Sequence, residues 1–352
     1  MNKPVPHRNA MRSPPGAPHT EMPTVGVIYN PRSHRNKGQD LASDPAPHVF
    51  VAQPGDRSQL PVALQRFRDR GINLLVINGG DGTVRDALTA GWQIFGEDWP
   101  AVAVLPKGKT NALTVDLDAP GDWSLQDAID AYRRGRRITR QPLAVTADPS
   151  ADGTAGGASD GASGGDATAM LGFILGAGAF SLGISKGQDA HRLGAFNSLA
   201  VGVTAVWGVL TALAGGADNP WRRGARMDIR IVPPGGGMPV PLARSTLGDP
   251  DYRQLLLAST LERFPAGMKP FGHVEGGLKI AVIDHASRRT LLRLPLTLRG
   301  NLPQDMAAKG LHQCAADCLS LDIAEPIILD GEAYPAGKYR IEPGPAIDFV
   351  AP

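Results

Sequence analysis

The sequence is poor in the residues that build redox centres and metal sites. Its 352 residues include two cysteines, Cys314 and Cys318. The eight histidines are scattered, no HExxH occurs, and no His or Cys cluster completes a tetrahedral zinc set around that pair. The cysteines therefore read as ordinary buried or free thiols of a reducing compartment. A surplus of charge of one sign is also lacking. Lys and Arg number 36 against 34 Asp and Glu, and a formal net charge of +2 makes no case for nucleic acid. Two basic clusters, Arg133–Arg134–Arg136–Arg137 and Arg222–Arg223–Arg226, suit either solvated faces or anionic lipid heads and phosphates. The first residues are rich in Pro and Arg without an apolar core, so a disordered tail over 1–22 is expected rather than a secretory signal. The longest apolar stretch, Leu199–Gly216, is diluted by Gly202, Gly208, Gly215 and Gly216. A buried or membrane-touching helix is expected there rather than a span. No solenoid period is visible.

What remains is the composition of a globular protein, 42% hydrophobic and 20% charged, with a length that favours two domains. "TVGVIYNP" (Thr24–Pro31) reads as a buried strand running into an Asn-Pro turn. A polar, proline-rich passage follows, and then "VALQRFRDRGI" has the spacing of an amphipathic helix closed by Gly71. "NLLVING" is a second strand, with a helix starting directly after the glycines. "PAVAVLPKGKTNALTVDL" gives a third strand, a glycine turn and a helix start. "SLQDAIDAYRRGRR" predicts a helix over Ser124–Arg137 with a capping serine. Strands alternating with helices to about residue 140 argue for a parallel sheet covered on both faces, whose ligands bind beyond the carboxyl ends of the strands.

Beyond residue 140 the texture changes. "RQPLAVTA" and "AMLGFILG" flank a polar stretch over 148–168 that predicts a flexible insertion at an overlong hairpin tip. Further strands are expected at "MDIRIV", "YRQLLLAST", "LKIAVID", "TLLRLPLTL", "CLSLDI", "PIILDG" and "AIDFVAP". Short strands with Gly/Pro turns suit a sandwich or a barrel.

Three turns carry candidate chemistry. In "GGDGT" (Gly79, Gly80, Asp81, Gly82, Thr83) glycines after a strand let backbone amides approach an anion, and the following helix N-terminus favours negative charge. Asp81 can cap that helix or hold Mg2+ near phosphates, and Thr83 can cap or bond a phosphate oxygen. This stretch is not a Walker A loop, because its glycines are not followed by GK[ST] at that motif's spacing, and GxGxxG is absent. In "PKGKTN" Lys107, Gly108, Lys109, Thr110 and Asn111 form either a solvated turn or a second anion site, with lysines able to neutralise a triphosphate. In "DGE" Asp330 and Glu332 flank Gly331. Alone this reads as a β-turn; beside a phosphoryl donor, a carboxylate there can accept a hydroxyl proton or bind metal.

In this order the motifs resemble the diacylglycerol kinase catalytic-domain family, which includes bacterial lipid kinases and the sphingosine and ceramide kinases. The opening "NPxSG" of that family appears as Asn30, Pro31 and Ser33, with His34 in place of glycine. "GGDGTxNE" appears at 79–83, with Arg85 and Asp86 where Asn and Glu are usual. "PxGTxND" appears as Pro106, Gly108 and Asn111, with Lys109 and Ala112 departing. "DGE" is intact, and "FPAGMKPFGHVEGGL" echoes a glycine-rich stretch with Glu275 at an aspartate position.

The resemblance spans roughly 24–352 and implies an α/β nucleotide-binding domain over 23–142 plus about 335–352. A β-sandwich over 143–334 would complete the chain, with the chain end returning to the first domain. It implies ATP-dependent phosphorylation of a hydroxyl on diacylglycerol or a related lipid, with ATP and Mg2+ as cofactors. Asp330 would be the general base, and Glu332 would assist metal or substrate. Asp81 would sit at the metal, and Asn30, Ser33, Gly79–Thr83 and Lys107–Asn111 would hold nucleotide. The implied partners are a lipid substrate and a peripherally touched inner membrane face, with no nucleic acid and room for a homodimer, in the cytoplasm. An NAD kinase, which shares GGDGT, and a non-catalytic binding protein are the alternatives. Arg85 and Lys109 would add positive charge close to the phosphates.

Overall fold

The computed structural model describes residues 21–36, 46–148, 169–179, 181, 219–299 and 305–352. Residues 1–20 of the expected tail, 149–168 of the expected insertion and the apolar stretch Leu199–Gly216 lie outside the described residues. Among the described residues no helix is long and apolar enough to cross a membrane.

The first sheet is built from apolar runs that bury both faces. Strands β1 (Val25–Tyr29), β2 (Val49–Ala52), β3 (Leu74–Gly79), β4 (Ala101–Pro106) and β5 (Arg137–Arg140) are joined by the last strand of the chain, β19 (Ile347–Val350). Their order is β2-β1-β3-β4-β19-β5. All neighbouring pairs are parallel except β19–β5. Side chains alternate between the two faces with the pleat. Leu75, Ile77, Val102 and Val104 face helices α1 (Leu60–Asp69) and α2 (Asp81–Phe95). Leu74, Val76, Ala101 and Ala103 face helix α4 (Leu125–Arg133), which follows the short α3 (Ala112–Asp116). Each buried aliphatic side chain contributes roughly 1.5–3 kcal/mol, so a one-residue slip would cost the core of both faces. The strand expected at 24–31, the two helices after glycine turns and the sheet covered on both faces are all present. Helix α4 is shorter than its sequence pattern. A reciprocal cap between Ser124 and Asp127 starts it, but Gly135 at φ 73° stops it, and Arg137 already belongs to β5.

The remaining strands form two antiparallel sheets. One runs β10 (Val240–Pro241), β9 (Ala225–Val232), β15 (Cys318–Ile323), β18 (Gly337–Pro343), β6 (Leu143–Ala147), β7 (Met170–Gly172), with β11 (Tyr252–Arg253) paired to β9. The other runs β14 (Leu311–Ala316), β13 (Leu278–Ile283), β12 (Leu255–Ser259), β8 (Ile174–Gly178), β16 (Ile327–Leu329), β17 (Glu332–Tyr334). Leu143, Val145, Ile229, Leu319 and Ile341 of the one interlock with Leu175, Leu256, Ile280, Val282 and Leu329 of the other. This is a sandwich. The pairing of β6 with β7 bears out a hairpin around the polar stretch.

Two details differ from the sequence pattern. The return to the first sheet comes later than residue 335, because β18 buries Tyr339 and Ile341 in the sandwich core and only β19 reaches β4. "TLLRLPLTL" is not a strand but lies in helix α5 (Arg288–Thr297), whose alternating leucines mimic a period of two. The core of the first domain continues into the second. Phe173, Leu261, Phe264 and Phe271 pack with Ile77, Val104, Leu113 and Phe349.

Candidate active site

At the carboxyl ends of β1, β3 and β4 three turns close on one another. Asn30 follows β1; its N–H donates to the Asn78 carbonyl (3.0 Å) and its Nδ2 to Thr83 Oγ1 (2.8 Å). Buried Asn36 ties the same turn from behind, donating Nδ2 to the Asn30 carbonyl (2.9 Å) and to Asn78 Oδ1 (2.8 Å). Ser33 is buried inside this turn, its N–H on the Asn30 carbonyl at 3.2 Å. Lys107 N–H donates to the Gly79 carbonyl (3.2 Å), and its own carbonyl accepts from Arg35 N–H (3.2 Å).

The glycines have a specific reason. A Cβ placed on Gly80 would lie 2.9 Å from the Gly108 Cα, and one on Gly108 would lie 2.7 Å from the Gly80 Cα. The two turns meet backbone to backbone, so only glycine fits at either position. Asn111, in the left-handed region at φ 51°, closes the second turn: its Oδ1 accepts from Gly108 N–H (2.8 Å) and its Nδ2 donates to the Gly108 carbonyl (3.0 Å). Lys109 and Thr110 project into solvent, and Lys107 is half-buried.

Asp81 does not cap its own helix. Its Oδ2 accepts from Asn111 N–H (2.9 Å) and its Oδ1 from Ala112 N–H (2.8 Å), so it caps α3 and welds the two glycine turns together. Burial raises its pKa above the ordinary aspartate value, opposed by those two amides. Each carboxylate oxygen keeps acceptor capacity beyond the one amide it holds.

The DGE turn arrives from the sandwich, between β16 and β17. Asp330 adopts φ 46°, a left-handed conformation costing on the order of 1–3 kcal/mol in a non-glycine residue. Its carboxylate offsets that by accepting from Ile174 N–H (2.9 Å to Oδ1) and Phe173 N–H (3.0 Å to Oδ2), and its own N–H donates to the Ile174 carbonyl (2.9 Å). Burial first, and then the negative charge of Asp81, push the Asp330 pKa up to about 7 despite the Ile174 and Phe173 amides and Arg85. A carboxylate titrating near neutrality is suited to take a proton.

Glu332 is committed differently. Arg57 Nη1 reaches its Oε1 at 2.7 Å, and Arg57 Nη2 and Arg85 Nη2 both pair with its Oε2. Burial works to raise its carboxyl, but the two guanidiniums outweigh that and hold it below the usual value. Arg85 is buried; it also donates to the Leu329 carbonyl (3.2 Å) and to Asp86 Oδ1 (2.7 Å). Asp86 in turn accepts from Arg57 Nε (2.8 Å). The charge expected from Arg85 beside the phosphates is thus directed to the DGE turn.

Sequence reasoning missed this ionic bridge, and it missed Asp116. That carboxylate is wholly buried; it accepts from Glu262 and Arg263 N–H (both 2.7 Å to Oδ1) and from Arg140 Nε (2.6 Å to Oδ2), joining α3 to the sandwich. An aspartate on the apolar face of a short helix was the available signal. Among the described residues no group of three or more His, Cys, Asp or Glu side chains could hold a metal ion. Magnesium carried on nucleotide phosphates needs only one or two protein carboxylates, and Asp81 and Asp330 lie close enough for the charge of one to shift the pKa of the other.

Residues 24–142 match the family model described as the diacylglycerol kinase catalytic domain. No curated protein matches the chain. Solved structures from Bacillus anthracis str. Sterne share the fold, and their descriptions name a diacylglycerol kinase, in two of three cases as a provisional assignment. One has a TM-score of 0.58 at 14% identity, covering 95% of this chain and 98% of that one. A second has 0.58 at 15%, and a third 0.56 at 14%, with the same coverage.

Proposed function

With residues 24–142 belonging to the diacylglycerol kinase catalytic-domain family, we propose that the chain is an ATP-dependent lipid kinase acting on a hydroxyl of diacylglycerol or a related lipid. The observation that carries the reading is Asp330. It is a carboxylate of the sandwich, held by two backbone amides, with its pKa at about 7, electrostatically coupled to Asp81 of the glycine turns.

The Gly79–Thr83 and Lys107–Asn111 turns bind and orient the phosphates. The first-turn N–H groups of an α-helix have no carbonyl of their own helix to bond, which suits the start of α2 to an anion. Lys107 and Lys109 add charge to the second turn. Asp81 would hold the magnesium ion, which would neutralise developing charge on the phosphoryl oxygens. Asp330 takes the proton of the lipid hydroxyl as its oxygen forms the bond to the γ-phosphorus. The bond from that phosphorus to the bridging oxygen breaks, and ADP leaves with the electron pair. Bonds from the Phe173 and Ile174 amides fix the carboxylate so that no reorientation is needed at that moment.

The test is transfer of label from γ-labelled ATP, with magnesium, to a total lipid extract, with the product identified by mass. A labelled phospholipid supports the reading. Label appearing on added NAD, or on no acceptor, overturns it.

A further inference from the structure

Arg85 follows the GGDGT turn by two residues, and its surroundings give it a task. It leaves α2 one helical turn after Asp81, is buried, and crosses from the first domain to the DGE turn. There it takes the carbonyl of Leu329, one residue before Asp330, and the carboxylate of Glu332, two residues after it. Arg57, just before α1, takes the same carboxylate and also Asp86. The turn between these anchors contains two residues in the left-handed region, Asp330 and Gly331 at φ 82°. Such a turn keeps a strained residue only where its flanks are over-determined.

We propose that Arg85, seconded by Arg57, is a positioning residue for the general base, gripping the DGE turn on both sides of Asp330 from the helix that also carries Asp81. Glu332 is then the anchor of that grip rather than a metal ligand, since both its oxygens face guanidiniums. A single helix end thereby sets the phosphate turns and the base relative to each other. The charged groups acting on Asp330 are Asp81 and Arg85, both from α2; the sandwich strands packed on it contribute the Phe173 and Ile174 amides. Arg85 lowers the Asp330 pKa against the larger upward push of burial.

The inference rests on the kinase reading, so its test has an arm that does not. Full-length Arg85→Met and Arg85→Lys proteins are compared with the wild type in lipid phosphorylation and in amide hydrogen exchange. Arg85→Met is expected to lower kcat by about 10²-fold, because misplacing a catalytic group by roughly 1 Å costs that much, with the KM for ATP nearly unchanged. The peptide covering Leu329–Tyr334 should lose protection while the strands of the first sheet keep theirs. Arg85→Lys should restore part of both, because the ammonium keeps the charge opposite Glu332 but not the fork to the Leu329 carbonyl. Wild-type protection of that peptide in Arg85→Met overturns the proposal. So does loss of protection throughout the chain that lysine does not rescue, which marks a merely structural role. If the wild type phosphorylates no lipid, the kinase reading fails, and the exchange arm still decides whether Arg85 holds the turn.

Discussion

Two carboxylates cross the seam between the α/β sheet and the sandwich, and they are held in opposite ways. Asp116 belongs to the first domain and is wholly buried, gripped by two backbone amides of the sandwich and by Arg140. Glu332 belongs to the sandwich, is 31% exposed at its side chain, and is gripped by arginine side chains of the first domain. Backbone amides have fixed positions, so the Asp116 junction behaves as a rigid pivot. The Glu332 junction depends on long side chains, one of them Arg57 at 59% exposure, and solvent ions screen part of it. The difference teaches that one end of the seam is fixed by backbone amides and the other by side-chain charge. The backbone-held contact lies at the C-terminal end of α3, and the one made by side chains lies beside the proposed base.

Substitutions at the two junctions and at the site between them separate these roles. The largest effect belongs to Asp330→Asn. It should cut phosphoryl transfer by about 10²–10⁴-fold, the usual range for a general base, while nucleotide binding measured by calorimetry persists. Next comes the buried pivot. Asp116→Ala leaves Arg140 and two amides without their acceptor, and should lower unfolding free energy by about 3–5 kcal/mol in a urea titration. Gly108→Ala forces a Cβ to 2.7 Å from the Gly80 backbone. The resulting separation of the turns should cost about 1–3 kcal/mol, and should appear chiefly as a raised KM for ATP. Smallest is Arg57→Ala, expected to change stability by less than about 1 kcal/mol, an effect that shrinks further in high salt. If Arg57→Ala matched Asp116→Ala in cost, the contrast between an adjustable and a rigid junction would be lost.

Much of the α/β half was legible in the sequence because its signals are local. Leu74–Gly79 and Ala101–Pro106 are continuous apolar runs that end in glycine turns, and a parallel strand buried on both faces looks like that. GGDGT, PKGKTN and DGE were legible as separate turns, and the structure brings the first two into backbone contact. What was not legible is nonlocal. Arg85 reaches a carbonyl 244 residues away, so no spacing rule relates it to Leu329 or Glu332. In sequence it registers only as a basic residue near a phosphate motif. Asp81 was read as able to cap its own helix; it caps α3 instead, a partnership that becomes visible only once β3 and β4 are neighbours. Helix α5 was mistaken for a strand because leucines at alternate positions satisfy a period of two as well as half a helical face.

The central claim is that Asp330, poised near neutrality by burial and by Asp81, removes the proton of the lipid hydroxyl. A base must be deprotonated to act, and its pKa of about 7 leaves roughly half of the molecules competent at neutral pH. The measurement is the single-turnover rate of label transfer from γ-labelled ATP to diacylglycerol as pH is varied. The account predicts a rate that climbs about tenfold per unit below about pH 7 and levels off above it, with the limb absent from the residual activity of Asp330→Asn. A rate that is flat across that range in the wild type, or an Asp330→Asn protein that keeps both the limb and the rate, contradicts it.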